Sequence, residues 1–353
     1  MPRTIVHIVL STMASAGVSA LAAADLTVHE IAPGVHAILQ PTANRFDDSN
    51  SAVVVTARGA IVVDTQVSPA GARAVLAHVR DLTDLPVATV INTHWHGDHV
   101  QGNAVYADAF PGVSFIAHRN TRRDIEARAK AALQEELETV PGRLEAAEAQ
   151  LVSGLRRDGS PLSDSDRGQL RLAIDRRRAH LQRVEEVTFV LPEIVFDERL
   201  TLYRGDFEVQ LIHFPGHTRG DVVVFLPRQR VLISGDLLDD LPFTGHGSPA
   251  ALARTLRELE QLDFSHVIPG HGQVRAGKAH LRLVAEMFES IVVHVEAAVA
   301  EGKSLENTKQ SAELDRFRAM LVTDAASARY WDFFIPEAIA RAFEEAGASP
   351  EDG

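Results

Sequence analysis

A chain of 353 residues, 45% hydrophobic and 24% charged, is long enough for one large domain with additions or for two domains, and its composition excludes a disordered or fibrous protein. A formal charge of -13 excludes a general nucleic-acid binder, because the phosphate backbone would be repelled rather than neutralised. The absence of cysteine excludes disulfides, thiolate ligands and a catalytic thiol, so a transition metal must sit on His, Asp and Glu, a donor set that suits zinc, manganese or iron.

Residues 1–24 read as a signal peptide. Arg3 precedes an apolar stretch over residues 5–21, interrupted by His7, and the run Ala20, Leu21, Ala22, Ala23, Ala24 suits signal peptidase, with cleavage expected after Ala22 or Ala24. The stretch is short for a membrane span, so the mature protein is expected to be periplasmic or secreted, with no stable span after processing.

Residues 25–118 are expected to form a first β-rich half. Residues 26–31 and 35–39 are strand-like and meet at Pro33-Gly34, while residues 52–56 and 60–63 predict a hairpin across Arg58-Gly59. Residues 69–82 carry Val75, Leu76 and Val79 at helical spacing, and the β-branched strand 87–91 runs straight into a histidine cluster. A helix over 102–110 and a strand over 113–117 follow.

Between residues 119 and 190 the pattern changes. Leu133, Leu137, Val140, Leu144, Ala147, Leu151 and Leu155 are spaced three and four apart, which predicts an inserted helical hairpin. Pro141-Gly142 should break or restart its first helix, and residues 158–161 should turn the chain into a second helix bearing Leu170, Ile174, Leu181 and Val184. The apolar stripe suits packing on the host domain or on a sister subunit, which would make the insertion a route to a homo-oligomer. The β pattern resumes over residues 191–278, with a helix at 249–262 and a strand at 265–268, and residues 279–353 form a mainly helical extension. Two β-rich halves, each closing with helices, predict an α/β four-layer sandwich with sheets inside and helices outside.

His94 and His96 lie two apart at a strand end, so both side chains can project to one side and share a metal ion. Gly97 allows a sharp turn that lets Asp98 and His99 supply a second ion, as a two-metal hydrolase requires. His217, Asp236 and His271 each follow an apolar strand beside a glycine. Each alone suits a turn or cap, but together with the first cluster they favour ligation.

On these motifs the chain resembles the metallo-β-lactamase superfamily over most of residues 25–275, apart from the insertion. The resemblance implies an αββα sandwich, His94, His96 and His217 on one metal, Asp98, His99 and His271 on the other, and Asp236 as a bridge. It also implies two zinc ions, with iron or manganese as alternatives. Asp64, ending the strand 61–63, matches the family's early aspartate, which supports the metal loop without binding metal; a turn-capping role is the alternative.

A water shared by two divalent ions loses its proton near neutral pH, and Asp98 could orient that nucleophile or receive the proton. His118, His213, Arg219 and His246 lie near the expected site. Arg219 could meet a substrate carboxylate and His246 or His118 could contact substrate, but a surface charge or a satisfied core histidine is the more frequent explanation of each.

The family name does not fix the substrate. β-Lactamase subclasses with a cysteine ligand are excluded by composition, and the subclass with the same histidine run usually lacks an aspartate at the position of Asp236. A bridging aspartate is similar to glyoxalase-type thioester hydrolases, lactonases and exported metallo-hydrolases of quinoprotein systems. The expectation is an exported dinuclear zinc hydrolase that cleaves an ester, thioester, lactone or amide in a small molecule. β-Lactam hydrolysis, a mononuclear iron persulfide dioxygenase and a non-enzymatic periplasmic metal-binding protein stand as alternatives.

Overall fold

Period-two alternation of branched apolar residues builds two sheets whose facing sides make the central core. A computed structural model describes residues 26–347, and the leader expected over residues 1–24 lies outside the described residues. The first sheet runs β1 (Thr27–Ala32), β2 (Val35–Leu39), β3 (Ser51–Thr56), β4 (Gly59–Val63), β5 (Val87–Ile91), β6 (Ser114–His118) and β7 (Ile194–Phe196), with spatial order equal to chain order. Its first four strands pair antiparallel, and β4 to β7 pair parallel. Parallel neighbours need crossovers. These are α1 (Pro69–Leu82), then α2 (Gly97–Val100) with α3 (Asn103–Ala109), and finally α4 (Arg119–Asp124), α5 (Lys130–Ser153) and α6 (Asp164–Val184).

The second sheet holds β8 (Arg199–Arg204), β9 (Phe207–His213), β10 (Val222–Leu226), β11 (Val231–Gly235), β12 (His266–Pro269) and β13 (Arg275–Ala276). Only β11 and β12 pair parallel there, joined through α7 (Pro249–Leu259). The chain then continues as α8 (Ala279–Ala300), α9 (Leu305–Gln310), α10 (Asp315–Leu321) and α11 (Ala325–Glu345).

Val54, Ile61, Val63 and Ile91 of the first sheet pack with Leu211, Val224, Ile233 and Ile268 of the second. The alternate residues Val53, Val62 and Val90 turn the other way and bury Val75, Leu76 and Val79 of α1. On the far side, Val223, Leu232 and Val267 pack with Leu252 and Leu256 of α7, Phe288 of α8 and Ile339 of α11. The expected αββα sandwich is the fold. Among the described residues no helix is long and apolar enough to cross a membrane.

The insertion is the crossover between β6 and β7, and one expectation about it is overturned. α5 does not break at Pro141-Gly142 but runs unbroken through both. Both are exposed and Leu137, whose carbonyl lacks the proline N–H, is half-buried, so the helix loses one hydrogen bond there without burying the turn. α5 ends on Gly154 at φ 73, the left-handed cap that glycine adopts without Cβ strain, and Ser163 with Asp166 closes a capping box that starts α6. The base of the hairpin docks on the host: Leu133 and Val184 bury against Val67, and Arg183 Nη2 donates to Asp48 Oδ2 at 2.5 Å.

Candidate metal centre

Strand ends deliver every histidine and aspartate singled out as a ligand to one place. His94 and His96 follow β5, Asp98 and His99 lie on the first turn of α2, His217 follows β9, Asp236 leaves β11, and His271 leaves β12. The sharp turn expected at Gly97 is the start of α2, where a Cβ would meet the Gln101 amide at 2.7 Å. Potential ligand atoms of His94, His96, His217 and Asp236 converge within 4.8 Å, and so do those of Asp98, His99 and His271.

Hydrogen bonds on the outward side set which nitrogen of each ring points inward. His217 Nδ1 faces the Phe243 carbonyl at 2.5 Å, His271 Nδ1 faces the Arg45 carbonyl at 3.0 Å, and His99 Nδ1 faces Asp64 Oδ2 at 2.8 Å. Carbonyls and carboxylates only accept, so each of these nitrogens carries a proton, and in its neutral form each ring turns a lone pair inward. Thr93 completes the set: its hydroxyl donates to Asp64 Oδ2 at 2.8 Å and is left to accept from His94 Nδ1 at 3.0 Å.

The inward atoms therefore crowd together without protons between them. His94 Nε2, His96 Nδ1 and His217 Nε2 are 2.8 to 3.2 Å apart. Asp236 stands between the clusters, with Oδ1 at 3.2 Å from His99 Nε2 and Oδ2 at 3.3 Å from His217 Nε2 and 3.6 Å from both His94 Nε2 and His271 Nε2. Asp98 Oδ2 approaches His271 Nε2 at 3.0 Å and His99 Nε2 at 3.4 Å. His99 Nε2 and Asp236 Oδ1 are buried without a hydrogen-bond partner. Converging lone pairs, carboxylates and orphaned polar atoms are what divalent cations would satisfy, so the donor set fits two of them.

The electrostatics agree. Burial, then neighbouring histidines, push His94 and His96 well below the ordinary histidine range. Burial also works against charge on His99 and His271, yet Asp236 and Asp98 outweigh it, raising His99 well above its usual value and His271 to about 10. Burial would raise Asp98 and Asp236, but His99 and the other histidines hold both below the carboxylate range. Without metal, protons on His99 and His271 supply the positive charge that the carboxylates demand.

Glycine at 270 lets this arrangement close, since a Cβ there would sit 2.0 Å from Asp236 Oδ1. Gly270→Ala is expected to displace that carboxylate and lower cation occupancy and turnover by about 100-fold, as a misplacement near 1 Å does. Metal content per folded chain, read beside a thermal midpoint, checks it.

The profile of the metallo-beta-lactamase superfamily matches residues 44–271, which take in both clusters and all but three of the strands. The chain belongs to this superfamily. It is similar to the linear primary-alkylsulfatase of a Pseudomonas species, with 25% identity over 246 residues that cover 67% of this chain and 44% of that protein. The hydroxyacylglutathione hydrolase of Gloeobacter violaceus is 44% identical over 66 residues, covering 19% of this chain and 24% of its own. Among solved structures, the sec-alkylsulfatase Pisa1 from Pseudomonas sp. shares the fold at a TM-score of 0.63 and 14% identity, over 93% of this chain and 51% of that one. The chain thus spans about half the length of these relatives or less.

In this metallo-beta-lactamase superfamily member Asp64 is no simple turn cap. It accepts from the Thr93 amide, the Thr93 hydroxyl and His99, and it holds φ at 63, a left-handed value costly for a residue with a Cβ. The other flanking candidates fare differently. Arg219 makes two contacts of 2.7 Å to Asp124 and is not free to meet a substrate carboxylate. His118 caps α4 by accepting from the Asn120 amide and stacks on His213 at 3.8 Å, so both rings have structural partners. His246 Nδ1 lies 2.8 Å from His96 Nε2, which places it behind a ligand-type ring.

Sequence reasoning missed three supports. Thr93 connects Asp64 to His94. Asp221 accepts from the Gly216 and Thr218 amides at 3.0 and 2.8 Å and so holds the His217 loop; Asp239 accepts from the His271 amide at 2.8 Å. The Gly220-Asp221 turn and the Asp236, Asp239 pairing in one short run were the only local signals.

Proposed function

We propose that this chain is a dinuclear metal-dependent hydrolase of a carboxylic ester or thioester in a small molecule, exported to a periplasm or secreted, with zinc as its preferred ion. The carrying observation is Asp236, set between two clusters whose ring tautomers all turn lone pairs inward. Nitrogen and oxygen donors without thiolate suit zinc, with manganese and iron next. Bound cations would supply Lewis acidity for the acyl oxygen and activate a water for attack.

His94, His96 and His217 would hold one ion, Asp98, His99 and His271 the other, with Asp236 shared. Asp98 is the partly exposed carboxylate of the set, its side chain 21% accessible. Ionised and held by His271 and His99, it can accept a hydrogen bond from the attacking water and orient it. His96, turning Nδ1 inward, can donate from Nε2 to His246, which fixes its ring as an outer partner does. Buried Trp95, edge-on to His96, holds that ring from the other side.

Both named relatives are hydrolases, which supports this class of reaction over the persulfide dioxygenase and the non-enzymatic binder. The test is metal analysis coupled to a panel of carboxylic esters, thioesters, lactones, alkyl sulfates and β-lactams. Two ions per chain, with ester or thioester turnover abolished by chelation and restored by zinc or manganese, is the expected result. One iron per chain with oxygen consumption would remove the reading, as would full metal loading with sulfates or β-lactams as the only substrates.

A further inference from the structure

A cleft of about 330 Å³ opens between the metal loop and the inserted hairpin. Asp98 lies in its wall, so the cleft reaches the edge of the candidate centre. Its wall is mixed: Trp95 and Phe46 on the host side and Ala132 and Leu133 of α5 opposite are apolar, while Gln101, Asp47 and Asp98 make the host side polar beside them. Glu136 and His180 also line it, contributed by α5 and α6, and they face each other at 3.2 Å. Arg177 approaches the same glutamate at 3.4 Å, so the charges that the hairpin brings are already paired.

From this we infer that the hairpin is a wall of the substrate site and that the cleft takes an uncharged, apolar acyl group of modest length. The inference rests on the hydrolase reading and deepens it. The volume lies at the low end of small-molecule sites, about 300–1,000 Å³, which suits a small acyl group and excludes a polymer. No Lys or Arg lines the cleft, so the far end of an anionic acyl group would find no cationic side chain there and would lie near Asp47. With the carbonyl held beside Asp98, Phe46, Ala132 and Leu133 give the acyl chain an apolar strip to lie on.

Ala132 is exposed, and a larger side chain there fills the cleft without entering the core. In the metal-loaded full chain, kcat/KM for p-nitrophenyl esters is expected to rise from acetate to octanoate. A132F should lose about tenfold on octanoate and less than about twofold on acetate, because a few methylenes in an apolar pocket are worth that much. Free octanoate is the second probe: it should quench tryptophan fluorescence saturably through Trp95, about tenfold more weakly in A132F. A flat length profile shared by both proteins, with no saturable quench, overturns the cleft assignment and leaves the hydrolase reading standing. Octanoate binding that A132F weakens, with no ester turned over, upholds the cleft and overturns the hydrolase reading.

Discussion

Asp236→Ala should bind at least one cation fewer per chain and lose more than about 100-fold in kcat/KM for the best ester. Changes in groups that merely support a metal ligand cost about 10–100-fold in affinity or activity, and a carboxylate facing both clusters should exceed that range. Its two oxygens lie 3.2 to 3.6 Å from the inward nitrogens of His99, His217, His94 and His271, and among the described residues no other carboxylate approaches all four. Removing it also takes away the charge that contributes most to raising His99 and His271, so their protons should leave at lower pH in the metal-free variant. Elemental analysis of the purified chain, with NMR titration of the ring protons, reads both effects. Unchanged metal content and turnover would refute the shared-ligand role.

Asp64→Asn is expected to weaken binding at both clusters by about 10–100-fold while leaving the fold in place. The asparagine oxygen can still accept from the Thr93 amide. Its NH2, placed where Oδ2 stands, cannot accept from the Thr93 hydroxyl or from His99 Nδ1. Both tautomers lose their lock, one directly and the other through Thr93 and His94. Asn also tolerates the left-handed backbone at φ 63, whereas Asp64→Ala adds a strain of about 1–2 kcal/mol. Competition with a metal chelator measures the first effect, and the thermal midpoints of the two variants separate it from the second. Loss of affinity at the His99 cluster alone would show that the Thr93 relay carries nothing.

Much of this centre was legible beforehand because metal ligands must be specific side chains, and their strand-end positions follow from local alternation. His94 to His99, His217, Asp236 and His271 needed only recognition of where strands stop. Arg219 and His118 stayed open between a substrate contact and a structural role: the partner of Arg219, Asp124, lies 95 residues away on the inserted crossover, whose docking no local pattern reveals, whereas His118 accepts from the amide of Asn120 just beyond it. Pro141 was misread because proline disfavours a helix interior, while here the helix loses one hydrogen bond without burying the turn.

By itself the sequence determined the order of strands and helices, the absence of thiolate chemistry and the candidate ligand types at each strand end, since these follow from composition and short-range periodicity. Tertiary structure alone decided which ring nitrogen carries each proton. The acceptors for His271 and His217 are the carbonyls of Arg45 and Phe243, 226 and 26 residues away. Every residue owns such a carbonyl, so only the packed chain selects which one faces a histidine. The same packing set the hairpin against Asp98 and turned an inserted pair of helices into one wall of a cleft.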